Sequence, residues 1–194
     1  MKKRSVLLIG GARSGKSSFA EEMARQVGGE VLFVATAEAR DEEMRRRIEV
    51  HQKSRPAHWY TLEAPCRVGS CISQDGHNLS VVVLDCITLL VNNILCQHMA
   101  VHGEDVDEKA VENDVKTEIS AIIDCIHQSS ATYILVTNEV GEGIIPLGAS
   151  TRIYRDVLGR ANQMLARAVD EVYLMVAGIP LRVKPQGQSY FDNR

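Results

Sequence analysis

No two cysteines of this chain stand in C-x-x-C spacing, and the five present, Cys66, Cys71, Cys86, Cys96 and Cys125, are odd in number. That excludes a disulfide framework and suits a reducing cytosol. Cys66 and Cys71 lack zinc partners and read as structural. His98 and His102 have i, i+4 metal spacing but no third ligand, and read as surface residues. Charge of one sign is also lacking: 22 lysines and arginines face 25 acidic residues, a net charge of −3. Nucleic acid and anionic membrane surfaces are therefore not the expected partners. Nor is there a stretch near the roughly 18 apolar residues of a membrane span. The basic start MKKR precedes an apolar run of only about five residues, too short for a secretory signal. These absences predict a soluble, cytoplasmic protein. Internal repeats and low-complexity linkers are missing too, and 194 residues hold one sizeable core but hardly two. A single domain over 1–184 is expected, followed by a flexible polar tail, PQGQSYFDNR, over 185–194.

What is present is an alternation. Short apolar runs at 5–9, 30–35, 80–84, 132–137 and 171–177 read as buried strands, most of them without period-two patterning. Helical segments at about 16–27, 41–54, 87–100, 107–128 and 151–168 lie between them. That order predicts an α/β layer fold around a mostly parallel sheet. IPLRVK, after Gly178, is expected to return antiparallel through a hairpin.

The first run leads into GGARSGKS, which satisfies G-x-x-x-x-G-K-[ST] in full. Gly10, Gly11, Ala12, Arg13, Ser14 and Gly15 would curl the backbone so that successive N–H groups face phosphate oxygens. Lys16 would reach the β- and γ-phosphates, and the Ser17 hydroxyl would ligate Mg²⁺. The first turn of the following helix adds its partial positive charge. SVVVLDC places Asp85 at the end of a hydrophobic strand, where a second metal-organising carboxylate belongs. A plain strand-end turn is the alternative reading.

The segment DEEMRRRIEVHQKSRPAHW is the other informative stretch. Asp41 and two glutamates suit a helix N-terminus, and Pro56 ends the helix near Arg55. Met44, Ile48 and His51 share a helical face, so His51 replaces a core residue on the buried stripe. It reads either as a core histidine or as a nucleophile. Arg47, Lys53 and Arg55 favour the second, because nearby cations keep an imidazole neutral and would hold a polyphosphate against it. Attack of a neutral imidazole on phosphorus gives a covalent phosphoramidate.

GGARSGKS, RIEVHQKSRPAHW, VVLDCIT, VTNEVGEGIIP and RIYRDVLGRANQMLA occur in this order over most of the chain. Together they resemble the bifunctional adenosylcobinamide kinase/adenosylcobinamide-phosphate guanylyltransferase family of cobalamin biosynthesis. The resemblance implies a three-layer P-loop NTPase fold with a RecA-like sheet and helices on both faces, and a homotrimer. It implies phosphorylation of adenosylcobinamide by ATP or GTP, then transfer of GMP from GTP onto that phosphate, releasing pyrophosphate. His51 would carry GMP covalently. Nucleotide contacts would fall on Gly10 through Ser17, on Ala35, Thr36 and Ala37, on Gln52, Lys53, Ser54 and Arg55, and on Glu63 and Asp85. Asp85 is also a departure, since some members carry glutamate there. Nothing carries over to residues 66–78.

Two other readings remain open from the sequence: a small-molecule kinase using the phosphate loop alone, and a GTP-binding switch. The first leaves the cations around His51 unexplained. The second needs an N-K-x-D-type guanine reader, which VTNEVG is not. VTNEVGEGIIP is either a mobile loop over the site or an ordinary strand-to-helix connection. The role of Glu139 stays open, and Arg152, Arg155 and Asn162 read as a solvated helix face.

Overall fold

A computed structural model of the chain describes residues 3–39, 41–75, 78–103 and 105–185, with the side chains of Arg47, His51 and Ser54 outside the description. The sequence-predicted tail therefore lies beyond the described residues from position 186 onward. The elements run β1 (Ser5–Gly10), α1 (Lys16–Val27), β2 (Val31–Ala35), α2 (Glu42–Ser54), β3 (Tyr60–Glu63), α3 (Val68–Gln74) and β4 (Val81–Asp85). They continue with α4 (Ile87–His102), α5 (Glu108–Gln128), β5 (Thr132–Asn138), α6 (Ala149–Ala168), β6 (Glu171–Val176) and β7 (Ile179–Lys184).

The strands form one seven-stranded sheet in the order β3-β2-β4-β5-β1-β6-β7. Every pairing is parallel except that of β6 with β7, the expected hairpin. One strand, β5, stands between the phosphate-loop strand β1 and β4, which ends at Asp85.

The unbroken apolar runs are explained by two cores. Leu7, Leu32, Val34, Val82, Leu84, Tyr133 and Leu135 face helices α3 to α6, while Val6, Leu8, Phe33, Val83, Ile134 and Val136 face α1 and Trp59. Strands covered on both sides have no solvent face to carry polar residues. Each buried leucine or valine in these layers contributes about 1.5–3 kcal/mol.

Two elements carried no sequence signal. The four residues of β3 alternate weakly and are mostly exposed, since β3 is the sheet edge. Helix α3 is a support for α5: Glu118 accepts from the backbone of Arg67 and Gly69, and Cys125 Sγ donates to Gly69 O. A Cβ at Gly69 would sit 2.7 Å from that of Ala121, so the approach needs glycine.

Helix α2 corrects one expectation. Its start follows the prediction, with Asp41 accepting from Met44 N at 2.7 Å, and it ends at Arg55 before Pro56. Its apolar stripe does not enter the core, however. Met44 and Ile48 are half-buried, join neither core cluster and line a cleft. The stripe is apolar because it faces a cavity, not packed side chains.

Candidate active site

The cleft lies at the C-terminal ends of the parallel strands and holds about 620 Å³. This is where ligands bind in open α/β sheets. Its floor is the loop between β1 and α1. A Cβ at Gly10 would lie 2.5 Å from Met175 O, and one at Gly15, whose φ is 90°, would lie 3.1 Å from the Gly178 Cα. The turn of the β6–β7 hairpin thus presses on the phosphate loop, and Gly178 N donates to Ser14 O at 3.0 Å. Neither glycine could be replaced without moving that contact.

Lys16 is buried and folds back over the loop. Its Nζ donates to Gly11 O at 2.6 Å, Gly10 O at 3.0 Å and Ser14 Oγ at 3.3 Å. Burial pushes its pKa down, and the Asp85 carboxylate pulls partly against that. Cys86, next in the chain, is pushed up to about 12 by burial first and by Asp85 second, so it is a neutral thiol and no nucleophile.

Opposite the loop stands Arg55, brought in by the end of α2. Its guanidinium carbon lies 3.7 Å from the Phe33 ring centroid, and burial pushes its pKa down. Its Nε and Nη1 are buried without a hydrogen-bond partner among the described residues. A buried donor left unmade costs about 1–3 kcal/mol. A cation with two such donors, in a cavity facing a phosphate loop, is built for an anion.

Most of the sequence-predicted residues meet here. Ala12 through Ser17, Ala35, Ala37, Arg55, Glu63 and Asp85 all line the cleft. Gly10 and Gly11 supply the carbonyls that hold Lys16. Thr36 is placed differently: it is wholly buried, its hydroxyl donates to Cys86 O at 2.7 Å and accepts from Cys86 N at 2.8 Å. It ties the end of β2 to the end of β4 and so aims Ala35 and Ala37 at the cleft. Gln52 reaches Glu63 at 3.1 Å, and Lys53 is exposed. The side chains of His51 and Ser54 lie outside the described residues; both positions belong to α2, the helix whose Met44 and Ile48 line the cleft.

Phe33, Met44, Ile48, Thr88, Leu89 and Asn138 also line the cleft and were missed. Met44 and Ile48 gave a signal that was assigned to the core. Asn138 offered one as well, a polar residue ending a buried strand. It belongs to a polar cluster: Asn138 N donates to Thr88 Oγ1 at 2.6 Å, Asn162 Nδ2 to Asn138 O at 3.1 Å, and Thr137 Oγ1 to Asn162 Oδ1 at 2.7 Å. Asn162, expected on a solvated face, is instead buried and ties α6 to the end of β5. Helix α6 packs on α4 and α5, and Asn162 shares its buried side with Leu158 and Leu165.

Ser17 and Asp85 face the same cavity, and no cluster of three metal-binding side chains exists among the described residues. A sparse oxygen set of this kind fits Mg²⁺, which takes one or two protein ligands together with phosphate and water.

An intact phosphate loop, a parallel sheet with one strand between the loop strand and the Asp85 strand, and a cation opposite the loop define a P-loop nucleotide-binding fold. A solved chain of Pyrococcus horikoshii OT3 has the same fold, with a TM-score of 0.52 over 95% of this chain and 89% of that chain at 8% sequence identity. Residues 6–183 match the family described as cobinamide kinase / cobinamide phosphate guanyltransferase, and the chain belongs to that family. Relatives include the bifunctional adenosylcobalamin biosynthesis proteins CobU of Escherichia coli (strain K12), 41% identical over 92% of this chain and 99% of its own length, and of Salmonella typhimurium, 41% identical with the same coverage. CobP of Pseudomonas aeruginosa is 38% identical, over 92% of this chain and 96% of its own length. No helix among the described residues is long and apolar enough to cross a membrane.

Proposed function

We propose that this chain performs both reactions by which its family is described, in one cleft. In the first, the aminopropanol hydroxyl of adenosylcobinamide attacks the γ-phosphorus of ATP or GTP. The bond to the β–γ bridging oxygen breaks, and the nucleoside diphosphate leaves. In the second, the neutral imidazole of His51 attacks the α-phosphorus of GTP and expels pyrophosphate. A phosphate oxygen of adenosylcobinamide phosphate then attacks the guanylyl-histidine, forming adenosyl-GDP-cobinamide and freeing the imidazole. Splitting the transfer in this way replaces one hard displacement by two easier ones.

The observation that carries this reading is Arg55, whose buried donors have no hydrogen-bond partner among the described residues and which lines the same cleft as the phosphate loop, just after the helix that bears position 51. The loop N–H groups and Lys16 hold the β- and γ-phosphates, which transfer in one step and depart in the other. Arg55 takes charge on the same chain of phosphates from the opposite wall. Ala35, Ala37 and Glu63 border the nucleoside side, with Gln52, Lys53 and Ser54 completing the contacts on α2. Ser17 and Asp85 would hold Mg²⁺, which when bound neutralises charge on the β- and γ-oxygens.

A homotrimer is part of this proposal. It is supported by Ile179, Leu181 and Val183, an exposed apolar stripe on the edge strand β7 that a monomer would leave open to pairing. Five free cysteines suit a cytoplasmic location.

The test is labelling. GTP carrying label on the α-phosphate is expected to leave it on the protein, and γ-labelled GTP is not. The bond should be acid-labile and base-stable. His51→Ala is expected to abolish labelling and guanylyl transfer while sparing the kinase step. Persistence of α-label in that variant would move the covalent role to another residue.

A further inference from the structure

We propose that the exposed loop 139–148 is the docking surface for the corrin macrocycle, outside the cleft in which the nucleotide reacts. The inference rests on the substrate proposed above and adds where its largest part binds. A cleft of about 620 Å³ is the size of a site for one small ligand. A nucleoside triphosphate fills it. The substrate's reacting hydroxyl must reach the same phosphates, but its corrin ring and adenosyl ligand do not fit beside them. The ring therefore rests on the rim, with only its aminopropanol arm inside.

One stretch of rim is built for an apolar face. Ile144, Ile145 and Leu147 are 97%, 67% and 98% exposed, three large aliphatic side chains within four positions. Exposed apolar patches of this kind mark binding surfaces. Both roots of the loop are fastened to the same cleft residue, Thr88. Before the loop, Asn138 N donates to Thr88 Oγ1 at 2.6 Å; after it, Tyr154 OH donates to Thr88 O at 3.2 Å. Glu139 N also donates to Gly10 O of the phosphate loop at 3.2 Å, and Arg152 holds the carbonyls of Pro146 and Leu147. The loop is thus apolar at its tip and fixed at its base to the wall where transfer occurs. Gly141, Gly143 and Gly148 are exposed and place no side chain in the way of a ligand lying on the apolar tip.

The β7 stripe and Val101 fit less well. The stripe on β7 runs along the sheet edge, and none of its residues lines the cleft. Val101 stands alone near the end of α4.

The experiment compares wild type with the triple variant Ile144→Ser, Ile145→Ser, Leu147→Ser. KM for adenosylcobinamide is expected to rise about 10- to 100-fold, the loss of one or two buried aliphatic contacts. KM for GTP and α-label uptake in the absence of corrinoid should stay at wild-type values, which also establishes that the variant is folded. With phosphorylated 1-amino-2-propanol, an acceptor without the ring, both proteins should react at the same slow rate. An unchanged KM for adenosylcobinamide would overturn the assignment. So would an altered oligomeric state by light scattering, which would give the loop to a subunit contact. If wild type itself fails to turn over adenosylcobinamide, the proposed function falls and the docking surface with it.

Discussion

Replacing Arg55 by methionine should make the ligand-free protein more stable and the nucleotide complex weaker. In the free protein the guanidinium keeps two buried N–H groups unpaired among the described residues, each costing about 1–3 kcal/mol. Its stacking on Phe33 at 3.7 Å returns about 0.5–2 kcal/mol. Methionine keeps a favourable sulfur–aromatic contact and removes the unpaired donors. The attraction of Asp85, Glu21 and Glu63 for the cation works against this, leaving a net gain of about 1 kcal/mol, a rise of a few degrees in Tm for a domain of this size. With GTP bound the balance reverses. Two charge-assisted hydrogen bonds to phosphate, each contributing about 1.5–3 kcal/mol, are lost, so Kd should rise at least about 100-fold. Thermal unfolding with and without GTP, together with titration calorimetry, measures both effects on one sample. A variant that melts several degrees lower while binding GTP within threefold of wild type would refute the reasoning. Arg55 would then be a structural cation, and the anion-binding reading of the cleft would lose its main support.

Lys16→Ala is expected to cripple both half-reactions, because the β- and γ-phosphates move in each; a near wild-type kinase rate would show that the loop does not hold the donor. Asn162→Ala removes partners of Thr137 and Asn138 in a buried cluster and should cost about 1–3 kcal/mol in denaturant unfolding. A cost near zero would place water in that role. At Asp170, hydrogen bonds from the Ser5 hydroxyl and N–H hold the carboxyl below its ordinary pKa. The stability it contributes is therefore complete above the unfolded value and is lost as pH falls through the lower folded one. Asp170→Asn should flatten the acid limb of the stability curve below about pH 4, and an unchanged limb would rule out this linkage. Light scattering at micromolar concentration should give a trimer; a monomer would remove that part of the proposal.

The sequence alone determined the sheet's core strands, the phosphate loop and the family, because each is written in contiguous residues. Runs such as VLLI and VVVL have no solvent face to accommodate, and GGARSGKS needs only its own glycines and lysine to bend around phosphate. The capped start of α2 and its end at Pro56 were legible for the same reason. What the sequence could not determine was which side of an element faces what. Met44 and Ile48 have the spacing of a core stripe, yet they face a cavity, and spacing is the same in both cases. Asn162 reads as a solvated residue, and only the packing of α6 against β5 buries it. Thr36 lies within a predicted nucleotide contact, and only the neighbouring strand turns its hydroxyl toward Cys86. Arg55 and Phe33 are 22 positions apart, and nothing local signals that one stacks on the other. Local patterns fix backbone conformation through steric and hydrogen-bonding preferences a few residues wide. The environment of a side chain depends on segments brought together from across the chain, and so the cleft could be decided only by tertiary structure.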